Sequence, residues 1–209
     1  GFDYASLCWM PPEKTWFGLE AIDLRPFTLT MMSSAHRMEQ AANAISFGAR
    51  DGREFVGKSP ANATPAPGEL RYECDPEMAE GRLYKPTAME HKWALYWYSE
   101  RIYCVRSWSL DVEITARARR DGSTMIVDQI ETTGDRPESI GQWEAGDESI
   151  AARRLDFLIR ALAMGNTMPV PLAKGTPRDA ETIVIACFAH YGRSAECATY
   201  ADTLGIKVQ

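Results

Sequence analysis

Leu110, Val112, Ile114, Ala116 and Ala118 alternate with Asp111, Glu113, Thr115, Arg117 and Arg119, the period-two pattern of a strand with one buried and one wetted face. Asp121-Gly122 follows, a dipeptide suited to a type I′ turn, and Met125 and Val127 belong to the return strand. A two-residue turn there predicts Ala118 opposite Met125 and Ala116 opposite Val127, small against large. Upstream, "HKWALYWYSERIYCVRSW" at 91–108 reads as a hairpin of the same meander. With Ser99-Glu100 as its turn, Trp97 opposes Ile102, Leu95 opposes Cys104 and Trp93 opposes Arg106, while Tyr96 and Tyr103 pair on the reverse face. A three-residue loop would slip this register and exchange the partners.

Helical spacing recurs further along the chain. Met38, Ala41, Ala42 and Ile45 make an apolar stripe over about 35–47, with Ser33 or Ser34 as N-cap and Gly48 as terminator. Ile150, Ala151, Leu155, Leu158, Ile159 and Leu162 predict a helix over about 148–163, capped by Asp147 or Ser149 and ended by Gly165. Thr176-Pro177 opens a third that runs through Phe188 to Gly192, although "TIVIACF" alone also fits a buried strand, and a short helix is expected near 194–203. Residues 14–32 suggest one or two short strands broken near Pro26. Two stretches read as loops: the proline-rich, exposed "KSPANATPAPG" at 58–68, and the acidic "TGDRPESIGQWEAGDES" at 133–149. These elements predict a single α+β domain over 1–209, an antiparallel β-meander of four or more strands packed on one face by about three helices.

Composition narrows the function classes. A chain of 209 residues, 45% hydrophobic and 25% charged, can bury a core without a covalent staple. The net charge of -6 argues against a nucleic-acid reader, which relies on clustered Lys and Arg. Cys8, Cys74, Cys104, Cys187 and Cys197 are odd in number and contain no C-x-x-C pair, so they form neither a zinc signature nor a disulfide framework. Reduced thiols in a cytoplasmic protein are the simpler expectation. The apolar run "IVIACFA" at 183–189 is far too short to span a bilayer, and "GFDYASLCWM" does not read as a signal peptide. Phosphate loops, nucleotide-binding glycine fingerprints, zinc-protease helices, kinase motifs and DNA-binding patterns are absent from the sequence.

The aromatic hairpin is the main candidate for chemistry. Its rings cannot all point one way, and the face bearing Tyr96, Tyr98, Arg101 and Tyr103 is either the rim of a well-packed sheet or a recognition surface, since Tyr, Trp and Arg dominate binding hot spots. Arg106, among aromatics on the Trp93 side, either closes an ion pair with an acid or is offered to an anionic ligand. His36 and Glu39 have the spacing to meet on a helix, either as a surface pair or as acid-base or metal-binding groups. Glu138, Glu144, Asp147 and Glu148 are either a solvated acidic loop or oxygen ligands for a hard cation. His190-Tyr191-Gly192-Arg193 places a titratable ring, a phenol and a cation at a helix C-terminus, where the dipole alone favours His and Arg. Ser107 lacks a nucleophile elbow, Cys104 reads as an inert buried thiol, and Asn62-Ala63-Thr64 is a formal glycosylation triplet of a kind frequent by chance.

The expected function is a non-catalytic binding or interaction module presenting Tyr96, Tyr98, Arg101, Tyr103 and Arg106 to a protein partner or a small anionic molecule, without cofactor, metal or membrane. The alternative is a small cytosolic hydrolase using His36 and Glu39, or His190, as acid-base groups around an arginine-lined pocket.

Overall fold

The computed structural model describes residues 1–134 and 138–207. Its strands are β1 (Trp9–Met10), β2 (Ala21–Asp23), β3 (Thr64–Ala66), β4 (Leu70–Glu73), β5 (Gly81–Tyr84), β6 (Trp93–Tyr98), β7 (Arg101–Arg106), β8 (Val112–Asp121), β9 (Thr124–Thr132), β10 (Val170–Pro171) and β11 (Cys197–Thr199). The α-helices are α1 (Arg25–Thr28), α2 (Met38–Ser46), α3 (Glu138–Glu144), α4 (Ile150–Phe157) and α5 (Ala180–Tyr191). The class is α+β, as the sequence predicts. The chain groups into two compact units, Ser34–Pro137 and the discontinuous Gly1–Ser33 with Glu138–Gln209.

The continuous unit is built on a seven-stranded antiparallel sheet ordered β3-β9-β8-β7-β6-β5, with β4 also pairing β9. Ser99 and Glu100 both take left-handed φ values, 51° and 54°, as a type I′ turn requires. That turn holds the predicted register: Trp93 opposes Arg106, Leu95 opposes Cys104, Tyr96 opposes Tyr103 and Trp97 opposes Ile102. The next hairpin differs. Its turn is Gly122-Ser123, with Asp121 already paired to Thr124, so Ala118 opposes Val127 rather than Met125. A displacement of two keeps the side chains between this turn and the Arg117–Asp128 pair on their predicted faces.

Two bulges break the alternation that the sequence suggests. Cys104 opposes Ile114 but Val105 opposes Val112, so Glu113 is an extra residue on β8 and Val112 turns to the other face. There it joins Phe47, Phe55, Ala94, Tyr96, Tyr103 and Val105 in one core cluster. On β9 the extra residue falls between Asp128 and Glu131, and Gln129 adopts φ 48°.

The aromatic face is covered by the chain itself. Phe47 and Phe55, in the single helical turns Phe47–Ala49 and Arg53–Phe55, stack in series with Tyr96 at centroid separations of 6.3 and 5.7 Å. Burying Phe47 also decides how α2 sits. Ala44, three residues before it, faces inward, while Met38 and Ile45 are 92% and 76% exposed. The stripe expected to be core is therefore on the solvent side. The proline-rich segment is mostly exposed as expected, yet Thr64–Ala66 within it forms the edge strand β3, where Pro65 is tolerated.

The discontinuous unit holds a small mixed sheet, β1-β2-β11-β10, in which only β10 and β11 run parallel. Pro26 starts the short helix α1 instead of breaking a strand. α5 is the predicted third helix, capped by Asp179, whose carboxylate accepts from Thr182 N at 2.8 Å, rather than by Thr176. Near 194–203 the chain forms strand β11, not a helix, and α3 occupies part of the segment expected to be loop. Helix α4 continues into a π-helical turn, Leu158–Ala163, closed by Met164 N to Ile159 O. Among the described residues no helix is long and apolar enough to cross a membrane.

Candidate functional site

The hairpin residues singled out by the sequence lie on paired strands, but Tyr96 and Tyr103 are buried, while Tyr98, Arg101 and Arg106 are half-buried. Tyr96 and Tyr103 are 0% and 2% exposed, so the open recognition face expected there is instead a core face. Tyr103 Oη accepts from Gly57 N at 2.9 Å. Tyr98, at the strand end, donates to Asp51 O at 2.7 Å, and Arg101 pairs with Glu131 at 2.9 Å. Arg106 stacks on Trp93, 4.8 Å from the ring centroid, with its Nε 3.7 Å from Glu113. Of the two readings for Arg106, the structural pair is the one formed. Lys92 lies 4.0 Å from the Trp108 ring centroid, and burial, then the Arg106 charge, push its ammonium down to about 8.

The remaining candidates separate. His36 precedes α2, Glu39 lies in its first turn, both are exposed, and no hydrogen bond or ion pair joins them. Ser107 Oγ donates to His91 O at 2.7 Å, and burial raises the Cys104 thiol well above its ordinary range. Of the acidic group, Asp147 pairs with Arg153 and Glu144 with Arg154, Glu148 is exposed, and the Glu138 side chain lies outside the described residues. Among the described residues, no group of three or more His, Cys, Asp or Glu side chains is placed to hold a metal ion.

His190 lies elsewhere, on a cavity of about 60 Å³ in the discontinuous unit that it shares with Arg154, Glu144, Tyr191 and Trp143. These groups come from three helices. Arg154 is central because α4 is buried on almost every side, from Ile150 and Ala152 through Arg153, Arg154 and Leu155 to Phe157. Val170, Leu172, Ala186 and Cys187 contribute apolar lining to the same cavity. Burial, followed by the charge of Cys197, pushes the Cys187 thiol up to about 12, so the sulfur is a neutral wall group and not a nucleophile. Burial likewise raises the Tyr191 phenol and keeps its proton in place.

The two consecutive arginines of α4 are bonded very differently. Every nitrogen of the Arg153 guanidinium has an acceptor: Nη2 reaches Asp147 Oδ2 at 2.7 Å, Nε reaches Ser149 Oγ at 3.1 Å, and Nη1 reaches Leu172 O at 3.4 Å. Arg154 Nε donates to Tyr191 Oη at 3.1 Å and Nη1 to Glu144 Oε1 at 3.0 Å, but Nη2 is buried with no acceptor. An unmet buried donor costs about 1–3 kcal/mol, more when charged, and this one belongs to a guanidinium that lines the cavity. The π-helical turn that follows α4 is also of a kind frequent at functional sites.

A larger hollow of about 440 Å³ in the continuous unit is lined by Lys58, Asp111, Glu113 and Thr133. Among the described residues, none of its lining side chains has a buried polar atom without a partner.

Sequence reading missed Arg154 because adjacent charged residues in a helix read as a solvated face. The one available signal was "AARRLDF", where Arg153, Arg154 and Asp156 crowd between apolar neighbours with no polar stripe to share. No protein-family model, curated protein or solved structure matches this chain, so a functional reading rests on the geometry around Arg154.

Proposed function

We propose that the protein is a binding module for a small anionic molecule, and that its site is the Arg154 cavity rather than the aromatic hairpin. What supports this reading is a guanidinium only 3% exposed that lines a mostly apolar cavity with one arm unfilled. Cavities that hold small ligands are built this way, apolar walls with a few polar groups at one end that orient the guest. The net charge of -6 speaks against a nucleic-acid partner. A cytoplasmic setting belongs to the same proposal, supported by the free thiols of all five cysteines.

The test is a titration of the full chain with formate, acetate, phosphate and sulfate, followed by the Arg154 Nε–Hε signal in a ¹⁵N correlation spectrum. At least one anion is expected to shift that signal saturably in the wild type and to give a matching binding isotherm by calorimetry, and the calorimetric binding is expected to be lost in Arg154→Met. A wild-type signal that none of the four moves overturns the proposal. A hydrolytic reading has one observation in its favour, that His190 lines the same cavity. In that case His190→Ala abolishes turnover of a small ester while leaving anion binding intact; in a pure binding module there is no turnover to abolish.

A further inference from the structure

Glu144 engages Arg154 with one oxygen on one arm, although a guanidinium offers two parallel donors that match the two oxygens of a carboxylate. The glutamate reaches in from the wetter side: its side chain is 17% exposed against 3% for Arg154. It stands at the end of α3, where Gly175 N donates to Trp143 O at 3.2 Å and a Cβ on Gly175 would come within 2.7 Å of that oxygen. The backbone of Trp143 is thus tied down, while the Glu144 side chain makes only a partial match to the arginine fork.

We infer that Glu144 is an internal stand-in for the ligand, and that the ligand is a short-chain monocarboxylate which displaces it and bridges Arg154 Nη1 and Nη2. The inference rests on the binding reading above and deepens it. A monoanion is favoured over phosphate or sulfate because the lining holds one guanidinium and no lysine ammonium, with the Glu144 carboxylate beside it, too little positive charge to replace the hydration of a dianion. A planar carboxylate fits two adjacent N–H groups, whereas a tetrahedral anion carries further oxygens into a cavity whose lining is mostly apolar. Size points the same way. At roughly 10–15 Å³ for each water-sized group, the cavity has space for a carboxylate and a tail of one or two carbons.

Two carboxylates cannot share one guanidinium arm without strong repulsion. Binding therefore exchanges one carboxylate for another, with Glu144 released toward solvent. Observed affinity is the difference between an intermolecular contact and a tethered one, and the tether acts as a permanently present competitor. Removing the negative charge at position 144 relieves that competition.

The experiment titrates acetate and propionate into wild type and into Glu144→Gln and Glu144→Ala, with binding read from the Arg154 Nε–Hε signal. In the wild type the Glu144 Cδ resonance is followed as well, which requires no variant to fold. Expected are a roughly tenfold or greater gain in affinity in both variants, and a shift of wild-type Glu144 Cδ toward the position of a solvated carboxylate as propionate saturates. Propionate that binds wild type without moving Glu144 Cδ overturns the stand-in role, as does unchanged or weaker binding in folded variants. Either result leaves the binding function intact. Phosphate binding in place of carboxylates overturns the ligand class alone, and no binding by any anion in any of the three proteins overturns this inference and the function together.

Discussion

The ring of Tyr96 lies so close to Gly52 that a Cβ on the glycine would stand 2.1 Å from Tyr96 Cδ1 and 2.3 Å from Cγ. Gly52 is also at φ 89°, and its carbonyl accepts from Phe55 N to begin the turn that lays Phe55 on the same tyrosine. Glycine is required there twice, for the left-handed backbone and for the empty space. Through this contact the segment after α2 seals the aromatic face of β6 and β7.

Gly52→Ala is therefore expected to cost at least about 2 kcal/mol, combining backbone strain with overpacking in the core. Urea unfolding followed by tryptophan fluorescence measures it. A loss below about 0.5 kcal/mol would mean that the turn moves away from the ring without penalty, and that the cover over Tyr96 is loose.

Tyr96 and Tyr103 are opposite one another across β6 and β7, yet their hydroxyls have opposite fates. Tyr96 Oη is buried with no partner, while Tyr103 Oη accepts the Gly57 N–H. Tyr96→Phe removes an unmet polar atom and is expected to be neutral or stabilising by up to about 1 kcal/mol, whereas Tyr103→Phe orphans a backbone donor and is expected to cost about 1–2 kcal/mol. Denaturation midpoints should rank Tyr96→Phe at or above wild type and Tyr103→Phe below it. The reverse ranking would place a partner on Tyr96 Oη in solution.

Asp147 and Arg153 form an ion pair with side chains 1% and 2% exposed. Burial alone would raise the Asp147 carboxyl, but the Lys174 N–H, the Arg153 charge and the Ser149 hydroxyl together hold it below the ordinary value of 3.8. Between the folded and unfolded values the unfolded chain binds more protons, so the pair's contribution is complete above the ordinary carboxylate range and is lost as pH falls through the lowered value. Asp147→Asn leaves Arg153 without its counter-ion and is expected to cost about 3–5 kcal/mol at neutral pH, while flattening the loss of stability below about pH 4. Thermal unfolding of both proteins from pH 7 to pH 2.5 checks this, and parallel slopes in the acid range would refute it.

Much of the strand and helix layout was legible in the chain because it is encoded locally. The Ser99-Glu100 turn constrains two residues, and with the alternation of "WALYWY" and "RIYCVR" it suffices for the register of β6 against β7. The apolar spacing of α4 and the apolar run of α5 likewise lie within single segments. The bulges at Glu113 and Gln129 were hidden because an extra residue shows only against a partner strand.

What the sequence by itself determined is periodicity: where strands alternate, where helices turn and where glycine or proline interrupts them. Which face of each element is covered was decided only by the tertiary structure, since a stripe does not name what lies opposite it. Hence Met38 and Ile45 face solvent while Ala44 and Phe47 are buried, and Tyr96 is core rather than surface. The Arg154 cavity belongs wholly to the second kind. Glu144, Arg154 and His190 sit on α3, α4 and α5, and the bonding of Arg154 depends on burial and on partners far away in the chain. A guanidinium with one unfilled arm is a property of packing, and no local pattern of residues encodes it.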